Sequence, residues 1–239
     1  MSALAAPAIR RRERLIVALD VPRAAEARAL VERLGGAACF YKVGLELFAS
    51  GDGLELVGWL AQRGCKVFAD FKLYDIPETV RRAVASLRGR GVTFLTVHGD
   101  RAILQAAAGE KGELRILAVT LLTSIGPAEL REMGCAGEVG ELVLARARGA
   151  LEAGCDGVVC SGLEAAALRR EFGSRLLRVT PGIRPAGAAA GDQKRVVDVA
   201  QAFASGADYI VVGRPVRDAP EPRAAAEAIQ RTIAAIFPD

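Results

Sequence analysis

Residues 67–77 read Val67-Phe68-Ala69-Asp70-Phe71-Lys72-Leu73-Tyr74-Asp75-Ile76-Pro77, and they open as a strand after the turn residue Gly64. Side chains alternate faces along a strand, so Asp70 and Lys72 share one side and Phe71 takes the other. An Asp and a Lys on one face of an otherwise apolar strand are costly to bury unless they pair. Asp75 lies just past the strand end, and Pro77 suits the first turn of a helix. Two readings fit. One is a buried ion pair followed by a capping box built from Asp75 and Glu78. The other is a charged functional site.

The same punctuation runs outward in both directions. Upstream, Leu15–Leu19 is a short apolar run closed by Asp20 and Val21-Pro22, and Ala24–Leu34 reads as a helix ended by Gly35-Gly36. Cys39–Val43 is the next strand, with Lys42 near its end, and Leu54–Gln62 the next helix. Downstream of the helix expected over Pro77–Arg88, strands are expected at Thr93–Val97, Arg115–Val119, Gly157–Cys160, Leu176–Val179 and Tyr209–Val212. Helices are expected from Arg101, over Pro127–Met133, Glu138–Ala153, Leu163–Phe172, Val196–Ala204 and Arg223–Ile236. Continuous apolar runs bounded by turns suit strands buried on both faces. Eight strands alternating with helices in 239 residues predict an α/β fold of the (β/α)8 TIM-barrel type. A doubly wound open sheet is the alternative, but the first strand lacks a G-x-G-x-x-G turn. With no linker or low-complexity tract, residues 1–239 read as one barrel domain, with about 1–13 an N-terminal arm.

Bulk properties narrow the partners. A composition 51% apolar and 25% charged suits a soluble globular protein with a sizeable core. The formal charge of +4 permits anionic ligands without arguing for nucleic acid or membrane. Cys39, Cys65, Cys135, Cys155 and Cys160 form no CxxC or Cys/His cluster, so they read as reduced thiols rather than a zinc site. The N-terminus carries its arginines after its apolar stretch, the reverse of a secretory signal, and no run approaches the ~18 apolar residues of a membrane span. A cytoplasmic protein is expected.

Barrel active sites form at the C-terminal ends of the strands. The polar residues there are Asp20, Lys42, Asp70, Lys72, Asp75, His98, Ser124, Gln193 and Arg214. Each has a plain structural explanation: Asp20 fits a helix cap, Lys42 a solvated lysine, and His98, the sole histidine, a satisfied barrel-top residue. Strands one to three are neighbours in a barrel, however, so Asp20, Lys42, Asp70 and Lys72 should converge. The loops after strands seven and eight, Thr180-Pro181-Gly182-Ile183-Arg184 and Val212-Gly213-Arg214-Pro215, are where barrels often bind phosphate. Gly213 would let backbone N–H groups approach an anion at a helix N-terminus, and Arg214 would clamp it. The Gly/Ala-rich stretch between them, Ala186–Asp192, reads as a lid.

Taken together, Ala18-Leu19-Asp20, Lys42-Val43-Gly44, Asp70-x-Lys72-x-x-Asp75-Ile76-Pro77, Leu122-Thr123-Ser124, Pro181-Gly182-Ile183-Arg184 and Val212-Gly213-Arg214 resemble the orotidine 5'-phosphate decarboxylase family, in order and over nearly the whole chain. The resemblance implies conversion of orotidine 5'-phosphate to uridine 5'-phosphate and carbon dioxide with no metal and no organic cofactor. It implies that Lys72 protonates C6, that Asp70 faces the departing carboxylate, and that Lys42 and Asp75 complete a network of alternating charge. It further implies that Asp20 holds the ribose and Ser124 the pyrimidine edge, with Pro181, Gln193, Gly213 and Arg214 at the phosphate. A homodimer is implied too, with Asp75, Ile76 and Thr79 reaching the partner's site.

Two rivals remain. Related sugar-phosphate decarboxylases and synthases share the D-x-K-x-x-D pattern but bind Mg2+ and place a Glu at the end of the second strand. Lys42 stands there instead, a cation that would repel the metal. A catalytically silent nucleotide-binding barrel would need only Asp20 and the phosphate loops, and leaves Asp70, Lys72 and Asp75 unexplained.

Overall fold

Leu15, Val17 and Leu19 pack outward under the helices while Ile16 and Ala18 pack inward, and this alternation repeats around the whole sheet. The computed structural model describes residues 9–135, 137–184 and 195–238. Its strands are β1 (Leu15–Ala18), β2 (Phe40–Gly44), β3 (Lys66–Leu73), β4 (Val92–Val97), β5 (Arg115–Val119), β6 (Gly157–Val159), β7 (Leu177–Thr180) and β8 (Tyr209–Val212). All pair in parallel in chain order, and β8 closes on β1 to complete the expected (β/α)8 barrel.

The barrel interior is an aromatic plug. Phe40, Phe68, Phe94 and Tyr209 meet with ring centroids 5.1–6.0 Å apart, backed by Ile16, Leu117 and Val179. Because inward positions recur every two residues, the next inward residue after each phenylalanine is polar: Lys42 after Phe40, Asp70 after Phe68, Thr96 after Phe94. The same step leads from Ala18 to Asp20. The plug is therefore the floor on which a polar layer rests.

Some boundaries differ from expectation. A short helix, Leu45–Ala49, precedes Gly53–Gln62. The helix expected from Val196 begins at Val199, because Val197 bridges Ile183 and Asp198 forms a capping box with Gln201. There the Asp198 carboxylate accepts from Gln201 N at 2.7 Å, while Asp198 N donates to the Gln201 side chain at 3.1 Å. The described part of the N-terminal arm lies against the barrel floor. Glu13 pairs with Lys66 at 2.5 Å, Gln230 donates to the Arg12 carbonyl at 3.1 Å, and Ile9 packs on the aromatic plug. Arg10 and Arg12 themselves are exposed.

One buried cation belongs to the scaffold. Arg178 on β7 is 1% exposed and donates to the carbonyls of Gly206, Gly173 and Leu176 at 2.6, 2.6 and 2.8 Å. Its remaining nitrogen meets the Asp208 carboxylate at 2.6 Å, tying β7 to the turn before β8. Burial pushes the Asp208 carboxyl up against the opposing pull of Arg178, so that carboxylate depends on its partner. Replacing Arg178 with Leu should cost about 3–5 kcal/mol by stranding a buried carboxylate, read as a lower Tm and denaturation midpoint.

Candidate active site

At the C-terminal mouth of the barrel the polar layer forms a chain of alternating charge. Lys42 Nζ donates to Asp20 Oδ1 at 2.7 Å and lies 3.5 Å from Asp70 Oδ2. Lys72 Nζ donates to the other oxygen of Asp70 at 2.8 Å. Asp20, Lys42, Asp70 and Lys72 thus converge as expected, and their alternative readings fall away: Lys42 is buried, and Asp20 pairs with Lys42 rather than capping Ala24–Leu34.

Lys72 arrives by an irregularity that the sequence pattern did not disclose. The register of β3 on β4 jumps from Ala69↔Leu95 to Leu73↔Val97, so four steps on β3 span two on β4. Lys72 sits in this bulge with φ +48°, the sole non-glycine residue at positive φ among those described. Bulges re-aim side chains, and strained backbone persists only where its surroundings hold it. Thr96 does the holding: its hydroxyl accepts from Lys72 N at 3.0 Å and donates to Asp70 Oδ1 at 2.9 Å. Phe71, aimed the other way, is buried against Phe48 with ring centroids 4.4 Å apart. Gly44 is also required, because a Cβ there would lie 3.0 Å from both Asp20 Oδ1 and Lys42 Nζ.

Burial by itself would lower the pKa of Lys42, but Asp70 and Asp20 outweigh it and hold the ammonium above its ordinary value. Burial likewise works to raise the Asp70 carboxyl. Lys42 and Lys72, with hydrogen bonds from Lys72 and Thr96, overcome it and hold the group below the usual carboxylate range. His98, half-buried beside the Tyr74 ring, is held below its ordinary pKa by burial and then by Arg146 and Lys72.

A cavity of about 390 Å³ opens over this chain. Asp20, Lys42, Asp70 and Lys72 line its base, Leu121, Leu122, Thr123 and Ser124 one wall, and Pro181, Gly182, Arg184, Gly213, Arg214 and Arg217 another. Ser124, Pro181, Gly213 and Arg214 are thus brought to the same cavity as the charge chain. The helix after Gly213 is a single turn, Arg214–Arg217, too short for a large dipole, so guanidinium groups dominate the positive end of the cavity. Arg217, which sequence reasoning missed, lies one turn beyond Arg214 and donates to the Asp20 carbonyl at 2.5 Å. Arg184, quoted within a motif but given no role, also lines the wall. Gln193 and the expected lid, Ala186–Asp192, fall outside the described residues.

Asp75, Ile76 and Thr79 do not line their own chain's cavity; all three are exposed, Ile76 at 67% and neighbouring Tyr74 at 71%. The capping box from Asp75 and Glu78 does not form. Asp75 accepts from the adjacent Ile76 N at 2.7 Å, and Glu78 pairs with Arg81 and Arg82.

The fold and this cavity define a (β/α)8 barrel whose mouth joins a paired Lys/Asp chain to an arginine-rich anion end. Residues 13–229 match the sequence model of the orotidine 5'-phosphate decarboxylase / HUMPS family. A protein named orotidine 5'-phosphate decarboxylase from Methylococcus capsulatus is 59% identical over 226 residues, covering 94% of this chain and 93% of the relative. One of the same name from Rhodopseudomonas palustris is 54% identical over 225 residues, covering 93% and 95%. Among solved structures, orotidine 5'-phosphate decarboxylase from Lactobacillus acidophilus superposes with a TM-score of 0.82 at 37% identity, covering 92% of this chain and 99% of that one. The chain belongs to the orotidine 5'-phosphate decarboxylase / HUMPS family.

The depressed Asp70 carboxyl makes a pH prediction. A group whose folded pKa lies below its unfolded value contributes fully above the unfolded value, about 4 for Asp, and loses that contribution as pH falls through the folded one. Unfolding free energies of the native protein should therefore drop more steeply below about pH 4 than those of Asp70→Asn. Parallel profiles in urea titrations would show that the carboxyl is not held by its two lysines.

Proposed function

We propose that this chain is a carboxy-lyase that converts orotidine 5'-phosphate to uridine 5'-phosphate and carbon dioxide in pyrimidine biosynthesis, acting in the cytoplasm. The observation that carries the reading is the alternating chain Asp20–Lys42–Asp70–Lys72 at the base of a cavity whose far end is lined by Arg184, Arg214 and Arg217. Membership of the family supports the substrate, as do the names of the relatives.

The chemistry requires a site of this kind. Breaking the bond between C6 and the carboxylate leaves an electron pair at C6 with no adjacent π system to take it up. Lys72 offers an ammonium to stabilise that pair and donate a proton to C6, after which its neutral amine regains a proton from water. Asp70 lies beside the departing carboxylate, pairs with Lys72 at 2.8 Å, and disfavours the charged ground state by like-charge contact. Fixed charges aimed at developing charge act without reorganising at the moment of reaction, the largest electrostatic contribution to catalysis. In this reading Asp20 holds the ribose, Ser124 the pyrimidine edge, and Pro181, Gln193, Gly213 and Arg214 the phosphate.

The reaction is proposed to need no metal. Lys42 Nζ sits between the carboxylates of Asp20 and Asp70 at 2.7 and 3.5 Å, where an Mg2+-dependent relative would want its cation. The exposure of Asp75, Ile76 and Thr79, beside solvent-facing Tyr74, supports a homodimer in which these residues complete the partner's cavity.

Mixing the protein with orotidine 5'-phosphate should give loss of the orotate absorbance, unchanged by EDTA, and Lys72→Ala should lower turnover by about 10²–10⁴-fold or more. Activity lost to EDTA and restored by Mg2+ would overturn the metal-free reading; binding of uridine 5'-phosphate without turnover would favour a silent binder. Mixing inactive Asp75→Asn and Lys72→Ala subunits should restore part of the activity, since one site of each heterodimer is intact. No recovery after verified subunit exchange would exclude the shared site.

A further inference from the structure

A second buried ion pair lies behind the cavity wall, outside the charge chain. Arg195, buried between barrel-top loops, donates through Nη1 to Glu164 Oε1 at 2.6 Å. Its Nη2 donates to the carbonyls of Leu122 and Leu121 at 2.9 and 3.4 Å. The other Glu164 oxygen accepts from Ser161 N at 3.1 Å. Arg195 therefore fastens the loop after β5 to the loop after β6. Its own backbone is fixed nearby by the Ile183↔Val197 bridge and by Arg184 N donating to the Val197 carbonyl at 2.9 Å.

For fold stability alone this is an expensive arrangement. Apolar residues of similar volume commonly replace a buried ion pair at no loss of stability. The guanidinium Nε is buried with no hydrogen-bond partner among the described residues, which adds to the cost. What the pair achieves is geometric. The carbonyls of Leu121 and Leu122 are held by Arg195, while Leu121, Leu122, Thr123 and Ser124 together line the cavity, so the contact fixes the backbone from which that wall is built. A planar guanidinium spreads its donors in a rigid fork that reaches one carboxylate and two carbonyls at once, whereas an ammonium gathers its three donors at one point on a flexible stem.

We propose that Arg195, held by Glu164, is a positioning residue for the wall Leu121–Ser124, setting the placement of Thr123 and Ser124 against the ring of the bound nucleotide. The identity of that ring rests on the function proposed above. The two Nη groups meet Glu164, Leu121 and Leu122, on this wall rather than on the one formed by Pro181, Gly182 and Arg214.

The test uses Arg195→Met/Glu164→Gln, which removes both charges so that neither is stranded, and Arg195→Lys, which keeps the charge opposite Glu164. Both are assayed below their melting temperatures. In the double variant, uridine 5'-phosphate affinity and kcat/KM should fall about 100-fold, the scale of a 1 Å misplacement, while inorganic phosphate binding holds within about twofold. Arg195→Lys should recover part of the loss. Hydrogen exchange should rise at residues 121–126 and stay unchanged in the strands, an outcome that does not depend on the substrate. Unchanged exchange there, or equal losses of uridine 5'-phosphate and inorganic phosphate binding, would overturn the positioning role. A native protein that binds no uridine 5'-phosphate, with exchange altered as expected in the variant, would place the failure in the functional reading alone.

Discussion

A carboxylate buried at the top of an aromatic plug must be compensated or neutralised, and Asp70 is compensated on both sides. Lys42 approaches one oxygen from β2, Lys72 the other from the bulge in β3, and Thr96 donates from β4. Three adjacent strands are thereby tied together by one group. Burial by itself disfavours the charged form of both Lys42 and Asp70, and each offsets that cost for the other. Together they remain ionised, and the directions of the Lys42 and Asp70 shifts express that mutual dependence.

The barrel makes such a cluster affordable. Phe40, Phe68 and Phe94 fill the interior directly beneath Lys42, Asp70 and Thr96, so the charges rest on a rigid, apolar surface. Among the described residues, the one non-glycine at positive φ is Lys72, in a bulge pinned by Thr96. A charge network on rigid strands suits electrostatic catalysis, where reorganisation during reaction is the main cost to avoid. The walls above it are loops, and Arg195 with Glu164 supplies there the rigidity that strand pairing supplies below.

Much of this was legible in the primary structure. The βα alternation predicted the barrel because strands buried on both faces must be apolar, and only Gly, Pro and polar turns can interrupt them. Asp20, Lys42, Asp70 and Lys72 stood out because charge at the end of an apolar strand demands a partner. Less visible were residues whose role depends on a neighbour far along the chain. Thr96, Gly44 and Arg217 carry no local sign of the contacts they make. The pair Arg195 and Glu164, 31 positions apart, carries no local signal. Its burial comes from packing between segments distant in the chain. The start of the helix at Val199 was a missed local signal, since Asp198 and Gln201 have capping-box spacing.

The succession of strands and helices and the identity of the charges at the strand ends were determined by sequence alone, because turn punctuation and the cost of burying charge are local rules. Tertiary structure decided which oxygen of Asp70 meets which lysine, where β3 bulges, and that Asp75, Ile76 and Thr79 face outward rather than into their own cavity. Those outcomes depend on register, closure and contacts between segments distant in the chain, which no local pattern encodes.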